Sequence, residues 1–145
     1  MAGHTETDFE HAIEYGLITN DRYRKGDPKA FDPATALFPD EVIAFIRDSQ
    51  PTRWDQLEAM LRDRTAATVI DSLVKELASK GSLGVLRHGF KCYGKTLRLA
   101  YFRPNSGLNP ESAARYAANR LMITRQVRFK SEPLKCDCIL DVVLS

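Results

Sequence analysis

Apolar residues recur at helical spacing through the first half of the chain and alternate in strand fashion only in the second half. Phe9, Ile13 and Leu17 fall at i, i+4 and i+8 behind Thr7 or Asp8, either of which can cap a helix. The next stretch, TNDRYRKGDPKAFDP, is rich in Asp, Asn, Gly and Pro and reads as a long loop. A second helix is expected after Pro39, with Val42, Ile43, Phe45 and Ile46 as its apolar stripe and Pro51 just past its end. Thr52 opens a short helix carrying Trp54, Leu57 and Leu61. A further helix carries Val69, Ile70, Leu73, Val74 and Leu77, and Gly81 stops it.

Beyond Gly81 the pattern changes. SLGVLRH is a short helix or a turn, and Lys95 to Phe102, KTLRLAYF, alternates roughly and reads as a strand. Arg103 to Gly107 form a loop, and Pro110 suits the first turn of a helix reaching about Asn119 or Arg120. LMITRQVRF is a second strand, with Met122, Thr124, Gln126 and Arg128 on one face and Ile123, Arg125, Val127 and Phe129 on the other. CDCILDVVL is a third. The expected class is α/β, with a helical N-terminal half followed by a mixed sheet. Since the most strand-like segment ends the sequence, residues 1–145 are read as a single partial domain, either a piece of a longer chain or an incomplete gene product.

Composition narrows the function classes. The chain is 43% hydrophobic and 28% charged, ordinary values for a globular protein. Charges interrupt every apolar run well short of the roughly 18 residues a membrane span needs, so no membrane is expected. The acidic, polar start does not resemble a signal peptide, which points to the cytoplasm. Cys92, Cys136 and Cys138 are odd in number and are read as reduced thiols. Together with His88 they do not make a common zinc spacing.

Net charge is +2, but it is unevenly spread: residues 1–80 hold 10 Lys+Arg against 15 Asp+Glu, and residues 81–145 hold 11 against 4. A basic second half suits a polyanionic partner such as DNA, with Lys91, Arg120, Arg125 and Arg128 among the candidate phosphate contacts. Ordinary surface charge explains the same distribution. No helix-turn-helix or zinc-finger signature is present, so such contacts are expected to be to the backbone. There is no Walker A motif for ATP.

Three acidic residues bear on possible chemistry. Asp141 sits among Ile139, Leu140, Val142, Val143 and Leu144, where a carboxylate is costly unless it is hydrogen-bonded, paired or metal-bound; a solvated second face is the alternative. Glu10 and Glu14 lie one helical turn apart. They read either as a solvated face or, through Glu10 beside Phe9, as a carboxylate reaching inward.

Four blocks carry a family resemblance: FEHAIEYGLI (9–18), YRKGDPKAFDPATALFPDEVIAFIRDSQPTRWDQL (23–57), GSLGVLRHGFKCYGKTLRLAYFRPNSGLNP (81–110) and YAANRLMITRQVRF (116–129). In this order they resemble the N-terminal region of the restriction (R) subunit of type I restriction enzymes. That region is a nuclease domain of the PD-(D/E)xK type, joined in the family to an ATP-driven motor. The resemblance implies an incomplete restriction-endonuclease-like core. It assigns the helix glutamate to Glu10 and the strand aspartate to Asp141, both as catalytic Mg²⁺ ligands. It implies DNA and the modification and specificity subunits as partners, with ATP acting only through the motor, which this sequence does not include. No Glu-x-Lys pair follows Asp141 in these 145 residues, so the chain alone is expected not to cut DNA. A non-catalytic remnant serving DNA binding or subunit assembly is the alternative.

Overall fold

The computed structural model describes the backbone of residues 5–131 and 136–144, and the side chains of residues 5–128. The expectations for the side chains of Cys136, Cys138 and Asp141 therefore lie outside the described residues. The chain divides into two compact units, residues 1–38 with 120–145, and Pro39–Asn119.

In the first unit, helix α1 (Glu6–Asn20) is started by a capping box. Thr5 Oγ1 accepts from the Asp8 backbone N–H at 3.3 Å, and the Asp8 carboxylate accepts from the Thr5 N–H at 2.9 Å. The cap thus falls two residues before Thr7, with Asp8 as the reciprocal partner. Strand β1 (Arg24–Lys25) and a 3-10 turn at Pro28–Ala30 interrupt the segment expected to be a loop. The two long strands of this unit are β4 (Met122–Ser131) and β5 (Cys136–Leu144). β4 is the centre of a mixed sheet of order β1-β4-β5, parallel to β1 and antiparallel to β5.

Strict alternation fails within β4. Met122 and Val127 belong to one buried cluster with Phe38, against which Phe31 packs. A period of two would put residues 122 and 127 on opposite faces. Gln126 has φ +58°, a left-handed backbone that shifts the phase of the strand at that point. Met122, Thr124 and Val127 therefore share a side, and Arg125 and Gln126 both reach the other. On the Met122 side the chain passes so close at Gly26 that a Cβ there would overlap Thr124 Oγ1.

The second unit is mainly helical: α2 (Pro39–Ser49), α3 (Pro51–Leu61), α4 (Thr65–His88) and α5 (Pro110–Ala117). Its core includes Phe45, Ile46, Trp54, Leu57, Leu61, Val69, Leu73 and Val85, each fully buried side chain contributing about 1.5–3 kcal/mol relative to exposure. Gly81, at φ +74°, breaks α4 as expected, and the SLGVLRH segment resumes as helix. Gly89 ends it with φ +73° beside the Leu97 carbonyl.

A two-stranded hairpin follows, β2 (Phe90–Cys92) and β3 (Lys95–Leu97), turned by Tyr93 and Gly94, both at positive φ. The strand expected over Lys95–Phe102 is thus only three residues long. Two residues of its remainder are held by side chains instead. The buried Gln50 amide accepts from the Arg98 N–H and donates to the Arg98 carbonyl, each at 2.9 Å. The Asn119 amide does the same for Tyr101, at 2.9 and 2.6 Å. Two side chains satisfy the backbone groups that a neighbouring strand would have paired.

Replacing Gln50 by Leu keeps the volume but leaves the Arg98 backbone without that partner. The expected cost is about 1–3 kcal/mol, read as a lower denaturant midpoint; an unchanged midpoint would contradict the clamp.

Candidate functional site

The inward face of α1 is acidic. Glu10 and Glu14 are 6% and 4% exposed, whereas Phe9 is 67% exposed. The buried stripe is rotated by one residue from the expected Phe9–Ile13–Leu17 line, to residues 10, 13, 14 and 17, with Ile13 and Leu17 half-buried. The rotation follows from what α1 meets. β4 presents Arg125 and Gln126 to it, and carboxylates gain more from a guanidinium than a phenyl ring does.

Arg125 spans both acids. Its Nε and Nη2 donate to Glu10 Oε2 at 3.1 and 2.9 Å, and its Nη1 donates to Glu14 Oε2 at 3.0 Å. Gln126 Nε2 donates to Glu10 Oε2 at 3.2 Å, an interaction the phase shift of the strand makes possible. Lys25, on β1, closes the other side of Glu14 with Nζ at 3.0 Å from Oε1. His11 Nδ1 lies 3.3 Å from Arg125 Nη1 at the exposed rim.

The charges tune one another. Burial pushes the Glu14 carboxyl up, but hydrogen bonds from Arg125 and then Lys25 outweigh it and hold the group below its ordinary value of 4.5. The same pairings, with Glu14 first and Glu10 second, hold the Arg125 guanidinium above its ordinary range.

The expected site residues separate as follows. Glu10 and Arg125 come together. The backbone of Asp141 lies in β5, and the flanking pairs Arg125–Val142 and Val127–Leu140 put it across from Gln126 in the register. Arg128 is exposed on β4, and Arg120 is half-buried at the start of this segment. Lys91 is exposed on β2, in the other unit. Glu14, Lys25 and Gln126 complete the cluster, and the sequence alone did not mark Lys25 and Gln126 as its members. The i, i+4 spacing of Glu10 and Glu14 was the visible signal, and the residues facing them were not legible without the register of β4. Among the described residues no group of three or more His, Cys, Asp or Glu side chains is arranged to hold a metal ion. Among them also, no helix is long and apolar enough to cross a membrane.

No protein-family model matches the chain, and neither the curated proteins nor the solved structures contain a match.

Because the Glu14 carboxyl ionises more readily folded than unfolded, its ion pairs stabilise the fold above about pH 4.5, and that stabilisation is lost as pH falls through the lowered folded value. Arg125→Ala leaves two buried carboxylates without their main partner. It is expected to lower the melting temperature at pH 7 by several degrees and to flatten the acid limb of a stability–pH curve. Parallel curves for variant and wild type would contradict the coupling.

Proposed function

We propose that the chain is the N-terminal part of the nuclease domain of a type I restriction R subunit, acting in the cytoplasm. In the complete ATP-dependent complex, with modification and specificity subunits, such a domain contributes Mg²⁺-dependent cleavage of unmodified DNA. The observation that carries the reading most is the placement of Glu10. The early helix acid is buried against β4, and Asp141 stands on the next strand across from Gln126, which itself bonds Glu10. A mixed sheet with a helix carrying an inward acid is compatible with an incomplete restriction-endonuclease-like core.

On this reading Glu10 and Asp141 are the carboxylates that would hold Mg²⁺. The ion, when bound, polarises a phosphodiester and favours hydroxide. Glu10 is suited to the role as a buried oxygen donor, but its Oε2 already accepts from Arg125 and Gln126, so a cation must displace or share those donors. In the family the motif is completed by a Glu-x-Lys pair, and none follows Asp141 in this sequence. The chain by itself is accordingly proposed not to turn over DNA.

The guanidinium between Glu10 and Glu14 favours a second reading for this polypeptide. A carboxylate pair neutralised by Arg125 is a structural tie, and the unit built around it would then serve DNA binding or subunit assembly without catalysis.

Paramagnetic Mn²⁺ separates the two. The first reading expects the amide signals of Glu10, Gln126 and Asp141 to broaden together at millimolar Mn²⁺ or below, with Mg²⁺ reversing the effect and Asp141→Asn abolishing it. Broadening confined to other acids would sink the nuclease assignment and leave the structural one. A plasmid assay with the purified chain and Mg²⁺ is expected to show no cleavage; turnover that disappears on Asp141→Ala would refute the inactivity of the chain alone.

A further inference from the structure

Within the Pro39–Asn119 unit, a cleft of about 370 Å³ opens at the start of α3. Arg53, Arg98 and Arg115 are among its lining residues, as are Thr52 and Tyr101, and Glu111 is the one acid among them. Three Arg against one Glu leave a formal charge of +2 in a small concavity.

Local structure holds these groups in place. Arg98 is fixed through its backbone by the buried Gln50 amide, so its side chain starts from a rigid point at the cleft edge. Arg53 Nη1 donates to the Thr96 carbonyl, which ties the first turn of α3 to the hairpin. Arg115 is paired with Glu111 one turn away on α5. A guanidinium has five N–H donors, and each of these three uses only part of its set on protein acceptors. Because Gln50 spends its amide on Arg98, it makes no side-chain capping bond to α3, whose first turn faces the same cleft through Thr52 and Arg53.

We infer that this cleft is a phosphate-binding site, formed by Arg53, Arg98 and Arg115, that takes a phosphodiester of a DNA backbone. A fork of planar N–H donors matches phosphate oxygens in pairs, and the exposure of the arginines suits a ligand that stays largely in water. The interaction carries no base specificity, in keeping with the absence of a base-reading motif. That the phosphate belongs to DNA rests on the function proposed above; the arginine cleft itself rests on its own geometry.

The test uses the full chain and two probes, inorganic phosphate and a short duplex DNA. Phosphate is expected to shift the amide signals of Thr52, Arg53 and Arg98. Arg98→Ala and Arg115→Ala, which leave the Gln50 clamp intact, should each weaken duplex binding by about fivefold and reduce the slope of log K against log salt by about 0.9 for each phosphate no longer neutralised. Glu111→Gln frees Arg115 and removes the acid, so it should tighten binding of both probes. Lys75→Ala, away from the cleft, should change neither. The proposal is overturned if Arg98→Ala/Arg115→Ala binds the duplex with unchanged affinity and salt slope while its circular dichroism matches wild type. It is equally overturned if phosphate shifts the cleft but the duplex does not bind. Failure of the nuclease reading is distinguishable, because these measurements record phosphate binding and not metal binding or hydrolysis.

Discussion

One guanidinium organises the first unit. Glu10 and Glu14 occupy positions on α1 where a helix of this size would ordinarily place Leu or Ile, and a buried carboxylate without a partner costs several kcal/mol. Arg125 meets both acids from β4, and Lys25 meets Glu14 from β1. Helix, edge strand and central strand are thereby tied at one point by directional bonds. A purely apolar interface would let α1 rotate on the sheet. Three bonds from Arg125, at fixed spacing, set its register as well as its face.

The same point explains why the strand breaks its alternation. An ordinary strand would turn Gln126 away from α1 immediately after Arg125 had turned toward it. The left-handed backbone at Gln126 lets consecutive residues serve Glu10, and it also lets Val127 rejoin the cluster of Met122 and Phe38. A non-glycine residue at positive φ costs of order 1 kcal/mol or more, and it persists where its surroundings over-determine it. Such positions cluster at functional sites more often than elsewhere, in keeping with the proposed role of Glu10 and Asp141.

Much of the second unit was legible in the sequence, because its signals are local. Helices open at Pro39 and Pro110 as expected and at Pro51, one residue before the expected Thr52; the Trp54–Leu57–Leu61 stripe is buried, and Gly81 breaks the long helix. The departures from expectation have a common cause. Residues 98–102 have the composition of a strand, yet the backbone groups of Arg98 are paired by Gln50, 48 residues away in the sequence, and those of Tyr101 by Asn119. Phe9 has the spacing of a core anchor, and it is exposed because distant Arg125 and Gln126 decide which face of α1 turns inward. Strand β1 is hidden in a loop-like composition, since two residues pairing with β4 leave no periodic trace. For the candidate site, the acids were visible and their partners were not: Glu10 and Arg125 stand 115 positions apart, and the register of the sheet decides such pairings.

The proposal that Glu10 belongs to a cation site and not merely to an ion pair is decided most directly by a crystal structure of the chain grown with Mn²⁺. One anomalous peak is expected between the carboxylates of Glu10 and Asp141, at a coordination distance of about 2.0–2.3 Å, with the Arg125 guanidinium moved off Glu10 Oε2. A map with no peak there and Arg125 still bridging Glu10 and Glu14 would contradict it.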